Sequence, residues 1–197
     1  PVGAVVGGAK VSSKMALLKN LVTKVDGLIL GGGMANTFLL AQGIQIGASL
    51  AEPDMVNMAR VIMEKADANG CRMILPTDLV VATAFAANAP YRVTDGDDIA
   101  DDEMIVDAGP QSVATVITFL SACQTVVWNG PMGAFELKPF DAATNTVASA
   151  VARLTQDQKV MSVAGGGDTM AALANAGVND HFSYISTAGG AFLEWLE

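Results

Sequence analysis

Lys10 and Lys14 stand four residues apart at the expected start of a helix, directly after Gly7-Gly8. An ammonium group is poorly placed beside the positive end of a helix dipole, so the pair asks for a reason. Solvent-exposed lysines are one explanation; cations that offset charge on a transferring phosphoryl group are the other. Asp168 poses a similar choice. It follows Gly165-Gly166-Gly167 at the first turn of another expected helix. There it either caps the helix or engages the magnesium that accompanies a nucleotide, since that hard cation takes one or two carboxylates, phosphate oxygens and water.

These residues sit in a recurring setting. Apolar strand-like runs pass into glycine five times: at Gly7-Gly8, Gly31 to Gly33, Asn129-Gly130, Gly165 to Gly167, and Gly189-Gly190. Glycine lets backbone approach a ligand, and a following helix directs free N–H groups to the same place, which suits anions. Each run taken singly is equally a tight turn in an inert domain. Two standard phosphate motifs fail. Gly31 to Asn36 has asparagine where a dinucleotide fingerprint needs its third glycine, which argues against a dehydrogenase; Gly3 to Lys10 places lysine one residue late for a P-loop, and Val11 follows it.

The elements that must position these groups alternate. Strands are expected at Val2 to Val6, Leu28 to Leu30, Met73 to Leu75, Leu79 to Val81, Met104 to Val106, Thr125 to Trp128, Val160 to Val163 and Tyr184 to Ser186. Helices are expected at Ser12 to Val25, Met34 to Gln42, from Pro53 to Gly70, Gln111 to Ala122, Asp141 to Leu154, Asp168 to Ala176 and Ala191 to Glu197. The fold class is therefore α/β: a three-layer, doubly wound, Rossmann-like parallel sheet with helices on both faces, its ligand edge at the strand C-termini. No repeat at a fixed period is seen. The Asp95, Asp97, Asp98, Asp101 and Asp102 segment lacks calcium-loop spacing and is expected to be a solvated loop.

Composition excludes several classes. The 197 residues carry 20 acidic and 11 basic side chains, a formal charge of −9, and fit one domain. Only four arginines occur, so no nucleic-acid surface is expected, and bound phosphates would rely on backbone N–H groups and lysines. His181 is the sole histidine, which disfavours histidine-rich zinc sites and serine-histidine triads; it is read as structural. Cys71 and Cys123 read as buried thiols of a reducing compartment. No membrane partner is expected, because no apolar run reaches the roughly 18 residues a spanning helix needs. The start at Pro1 and the end inside a helical pattern at Glu197 both read as cuts.

Five ordered blocks carry a family resemblance: Gly7-Gly8-Ala9-Lys10-Val11-Ser12-Ser13-Lys14; Gly31-Gly32-Gly33-Met34-Ala35; Val127-Trp128-Asn129-Gly130-Pro131-Met132-Gly133-Ala134-Phe135-Glu136; Gly165-Gly166-Gly167-Asp168-Thr169; and Ser186-Thr187-Ala188-Gly189-Gly190-Ala191. In this order they resemble the C-terminal, nucleotide-binding half of phosphoglycerate kinases, so residues 1–197 would be that domain, with the N-terminal triose-phosphate domain absent. The resemblance implies catalytic roles for Lys10, Gly166 and Gly167. It implies nucleotide contacts for Ala9, Lys14, Gly32, Gly33, Leu50, Ile105, Asn129, Glu136, Asp168 and Thr169, with Gly166 and Gly167 serving there too. Leu50 and Ile105 would line the adenine pocket and Glu136 would bind the ribose hydroxyls. Gly189 and Gly190 would lie on the triose-phosphate side, and Asp168 would hold Mg2+.

Three positions depart from the family pattern. Ser13 replaces a common aspartate, which bears on a secondary magnesium or lysine-orienting contact; Ala188 replaces a glycine; and Ile105, often glycine, is expected to narrow the adenine pocket. The implied reaction is glycolytic transfer of a phosphoryl group between 1,3-bisphosphoglycerate and MgADP, giving 3-phosphoglycerate and MgATP. The implied setting is a cytoplasmic enzyme, monomeric when full length, and this fragment alone would be inactive. The alternative is a non-catalytic nucleotide-binding module of the same fold.

Overall fold

In the computed structural model the described residues are 1–188. Gly189 and Gly190, and the helix expected at Ala191 to Glu197, lie outside them.

Six strands form one parallel sheet: β1 (Val2–Val6), β2 (Gly27–Leu30), β3 (Arg72–Ile74), β7 (Thr125–Asn129), β8 (Met161–Gly165) and β9 (Tyr184–Ser186). Their order is β3-β2-β1-β7-β8-β9. Every pairing is parallel, so the strand C-termini share one edge. The two-residue period of a strand divides the core between the faces. Val5, Ile29, Val126 and Trp128 pack with Val113, Val116 and Leu120 of α4 (Pro110–Ser121), Val147 and Val151 of α5 (Ala142–Gln156), and Leu173 of α6 (Gly167–Asn175). Ala4, Val6, Leu28 and Leu30 pack on the opposite face. Their partners are Leu17 and Leu18 of α1 (Met15–Leu21), Met34 and Phe38 of α2 (Gly32–Ala41), and Ile62 and Ala66 of α3 (Val56–Ala68). Gly3 and Gly27 are register partners within the sheet. A Cβ at either would meet the Phe119 ring of α4, so the paired glycines make a bay for that side chain.

One sequence expectation needs correction. Strands β4 (Leu79–Ala82) and β6 (Met104–Ala108) do not join the parallel sheet. β4 pairs antiparallel with β6 on one side and, on the other, with β5 (Tyr91–Thr94), a strand not expected, in the order β5-β4-β6. The aspartate segment that links β5 to β6 is also not wholly solvated. Arg92 binds Asp98 at 3.0 Å and Glu103 at 2.7 Å, and the Thr94 hydroxyl donates to Asp98. These contacts hold the Glu103 carboxyl down at about 2, through the Arg92 hydrogen bond foremost.

Helix starts differ where tertiary contacts act. α1 begins at Met15, three residues later than Ser12, because residues 10–14 form a turn closed by Lys14 N–H to Val11 O at 3.0 Å and Ser13 Oγ to Lys10 O at 2.9 Å. α2 begins at Gly32, so two glycines of the run lie in its first turn. Cys71 and Cys123 are free thiols and buried. No helix among the described residues is long and apolar enough to cross a membrane.

Candidate functional site

Four of the five glycine exits are neighbours along the sheet edge, because β2, β1, β7 and β8 are adjacent. They interlock through backbone. Gly7 N–H donates to Asn129 O at 2.9 Å, Gly31 N–H to Val6 O at 3.1 Å, Gly32 N–H to Met132 O at 2.9 Å, and Met34 N–H to Gly8 O at 2.9 Å. Trp128 anchors the middle from the core, its Nε1 donating to Gly130 O at 2.7 Å. A Cβ on Gly7 would collide with Pro131 O, and one on Gly130, whose φ is +100°, with Gly7 O. Those glycines serve close packing between exits. Gly167 differs, since nothing lies within 4 Å of where its Cβ would stand. It leaves open space at the start of α6.

That space belongs to the polar half of a trough, a cavity of about 320 Å³ lined by Lys10, Ser13, Lys14, Asn129, Gly166, Gly167, Asp168 and Thr169 with the first glycine pair. The first N–H groups of α6 have no intrahelical acceptor and end here. Lys14 Nζ donates to Gly7 O at 2.6 Å and to Asn129 O at 3.3 Å. Burial pulls the Lys14 pKa down to about 8, and the Asp168 charge acts against that fall. Asn129 is buried; its Nδ2 donates to Gly165 O at 2.8 Å, while Oδ1 has no partner. An acceptor left that way suits an incoming donor rather than a phosphate oxygen. The Thr169 hydroxyl accepts from Gly130 N–H at 2.7 Å, and the side chain is buried. Thr169 thus ties the β7 exit to α6 and offers the trough its backbone N–H.

The apolar half, about 200 Å³, is walled by Gly32, Gly33, Ala35, Leu50, Ile105, Pro131, Met132 and Ala134, with Glu136 on its lining. Two hydrogen bonds set the wall: Asn36 Nδ2 to Leu50 O at 3.0 Å and Ile105 N–H to Ser49 Oγ at 2.8 Å. Asp107 closes the floor. Its carboxylate accepts from Ala108 N–H and Ala143 N–H, each at 2.9 Å. Burial pushes its pKa up to about 7 against those two hydrogen bonds, and Asp141 adds to the rise.

The halves share Gly8, Ala9, Pro131 and Asp168, so they form one continuous trough. Each of Ala9, Lys10, Lys14, Gly32, Gly33, Leu50, Ile105, Asn129, Glu136, Gly166, Gly167, Asp168 and Thr169 lines it. Sequence reasoning missed Phe85, Pro76 and Asp107 as lining residues. Phe85 is 63% exposed, and a lone aromatic among small residues in the loop after β4 was the available signal. Nothing in the pattern marked Asp107, because its one long-range partner, the Ala143 N–H of α5, is 36 residues away.

The fold and trough define a doubly wound, Rossmann-like α/β protein with one composite ligand edge. A family model described as phosphoglycerate kinase matches residues 1–197, and the chain belongs to that family. It is 64% identical over 197 residues to a phosphoglycerate kinase of Rhodospirillum centenum and 62% identical to one of Xanthobacter flavus, covering all of this chain and 50% of each relative. The structure of phosphoglycerate kinase from Coxiella burnetii superposes with a TM-score of 0.95 at 46% identity, over the whole chain and 50% of that structure. That from Pyrococcus horikoshii gives 0.82 at 28% identity, over the whole chain and 49% of that structure. The chain spans about half the length of the curated relatives it matches.

Proposed function

We propose that this chain is the C-terminal half of a cytoplasmic phosphoglycerate kinase, monomeric when full length, and supplies the MgADP/MgATP site. The reaction is the glycolytic transfer of a phosphoryl group between 1,3-bisphosphoglycerate and MgADP, giving 3-phosphoglycerate and MgATP. The observation that carries this reading is the continuity of an apolar pocket with a glycine-lined, lysine-bearing cleft through Gly8, Ala9, Pro131 and Asp168. A nucleotide has that same division into apolar base and anionic tail.

On this reading Gly32, Gly33, Leu50 and Ile105 hold adenine, with Ala9 at the junction, and Glu136 takes the ribose hydroxyls. Lys14 and the N–H groups of Gly166, Gly167, Asp168 and Thr169 receive the phosphates, and Asn129 lines the same side with its Oδ1 open to a donor group of the nucleotide. Lys10 and the Gly166 and Gly167 N–H groups share the charge of the transferring group. Catalysis is positioning and charge stabilisation, with no covalent intermediate on the protein. Among the described residues no three His, Cys, Asp or Glu side chains gather as a metal cluster. Asp168 therefore fits a cation that arrives with phosphate oxygens and needs one carboxylate from the protein. When bound, Mg2+ neutralises phosphate charge.

The acid substrate needs cations that this half does not spare. Arg92 is engaged by Asp98 and Glu103, and few arginines remain. The triose-phosphate site accordingly belongs to an N-terminal half. Ser13 in place of a family aspartate is the observation that favours the alternative, a nucleotide-binding module without chemistry. Lys10, Lys14 and Asp168 on one cleft favour the kinase. A coupled assay tests the division of labour: the purified 197-residue chain should show negligible turnover, and substantial turnover would overturn it.

A further inference from the structure

Lys10 reaches the polar half of the trough from an exposed turn, and among the described residues its ammonium makes no hydrogen bond or ion pair within the chain. Its backbone, by contrast, is fixed. Two of the restraints are local: Lys14 N–H to Val11 O and Ser13 Oγ to Lys10 O. The third comes from 40 residues away. Ser12 N–H donates to Glu52 Oε2 at 3.0 Å, and the Ser12 hydroxyl donates to Glu52 Oε1. The Glu52 segment is itself bolted down, with Glu52 N–H donating to the hydroxyl of buried Thr37 at 3.0 Å. Thr37 lies on α2, whose first turn carries Gly32 and Gly33 of the base wall, and Leu50 of that wall lies two residues before Glu52.

We infer that Glu52 is a positioning residue: its carboxylate holds the turn from Ala9 to Lys14 in the orientation that aims Lys10 and Lys14 at bound phosphates, in fixed relation to the nucleobase wall. This rests on the nucleotide reading of the trough. A carboxylate is suited to the task because two acceptor oxygens can take two donors of one turn at once. Burial, the largest single influence, would raise its pKa, but the Ser12 hydroxyl, the Ser12 and Val11 N–H groups and the Lys10 charge together outweigh it and hold Glu52 below the usual range. Glu52 touches no ligand on this account. It acts on the phosphate side alone, so it separates the two ends of the nucleotide.

The test is calorimetric titration of the 197-residue chain with MgADP and, separately, with adenosine, for wild type, Glu52→Gln and Glu52→Asp. Glu52→Gln should weaken MgADP about fivefold, as loss of one charge-assisted hydrogen bond in a partly solvated setting would, and leave adenosine unchanged. Glu52→Asp should recover part of the loss. Equal weakening of both ligands would reduce Glu52 to a structural clamp and overturn the inference, as would unchanged MgADP binding. If wild type binds neither ligand, the nucleotide reading and this inference fall together; if wild type binds both and Glu52→Gln matches it, only the inference falls. Should Glu52→Gln fail to fold, Ser12→Ala, which removes only the hydroxyl donor, must show the same selective loss for MgADP, and an unselective or absent effect would overturn the inference.

Discussion

Lys14 Nζ folds back seven residues to donate to the carbonyl oxygen of Gly7 at 2.6 Å, and it reaches the Asn129 carbonyl at 3.3 Å. One side chain thereby bridges the exits of β1 and β7. Carbonyl dipoles satisfy an ammonium only in part, and burial lowers its pKa to about 8 despite Asp168. An anion bound at the start of α6 would supply the counter-charge that these carbonyls do not.

A pH dependence follows with a definite sign. Lys14 is charged below about pH 8 and loses its proton above it, whereas ADP phosphates are fully ionised above about pH 7. MgADP affinity should therefore fall from pH 7 to pH 9, by up to about tenfold. Lys14→Arg should hold its own affinity across that interval, because guanidinium stays protonated. Titrations at both pH values decide it, and an equal pH slope in the arginine variant would exclude Lys14 as the titrating group.

Asp168 is exposed at the first turn of α6 and lines both halves of the trough. Removing its charge should weaken binding only when the metal is present. Asp168→Asn is expected to weaken ADP binding by roughly tenfold or more with magnesium present, and to leave it unchanged or tighter without magnesium, since a negative charge near the phosphates is gone. Parallel titrations with and without the metal read the difference; equal losses in both would assign Asp168 to the fold.

Gly130 has φ near +100°, and a Cβ there would press on the Gly7 carbonyl and stand 3.0 Å from Lys14 Nζ. Gly130→Ala should cost at least ~2 kcal/mol by left-handed strain and overpacking. Gly167→Ala, with open space at its Cβ, should leave stability within about 0.5 kcal/mol while reducing MgADP affinity. Urea unfolding of both variants beside a binding titration separates the packing glycine from the ligand glycine.

Asp107, whose pKa is shifted in the opposite direction from that of Lys14, links the pocket floor to pH. Its folded pKa is raised to about 7, against ~4 in an unfolded chain. Between those values the folded state binds more protons, so this group's contribution to stability declines as pH rises from about 4 to about 7 and is flat beyond. The stability advantage of wild type over Asp107→Asn should shrink across that window. Denaturant midpoints at pH 5 and pH 8 measure it, and a constant gap would show that Asp107 is ionised throughout.

The parallel sheet was legible because Val2–Val6 and Gly27–Leu30 are apolar runs buried on both faces and ended by glycine. β5 was not. Of its four residues only Thr94 is buried: Tyr91-Arg92-Val93-Thr94 alternates apolar with polar, but Tyr91 and Val93 are the exposed ones, so on this short edge strand the alternation runs opposite to burial. Strand direction was hidden too, since β4 resembles a parallel strand locally and its antiparallel pairing appears only in the register with β6. The late start of α1 reflects contacts within the turn and the Ser12–Glu52 tie across 40 residues, a separation that helical periodicity cannot express. For the site, the ordered blocks marked Lys10, Lys14, Asn129, Glu136 and Asp168, whereas Pro76, Phe85 and Asp107 lie outside them and join the trough only through the fold, as does the interlocking of Gly7 with Gly130.

A trough that holds a nucleotide with its base in the apolar half and its phosphates at α6 should discriminate among ligands by the length of their anionic tail. The most direct measurement is calorimetric titration of the 197-residue chain with adenosine, AMP and ADP, each with magnesium, for wild type and Lys14→Met. Wild type should bind all three, tightening from adenosine to ADP, and Lys14→Met should abolish that gain while sparing adenosine. Equal affinity for the three ligands, or no binding by a folded wild-type chain, would contradict the account.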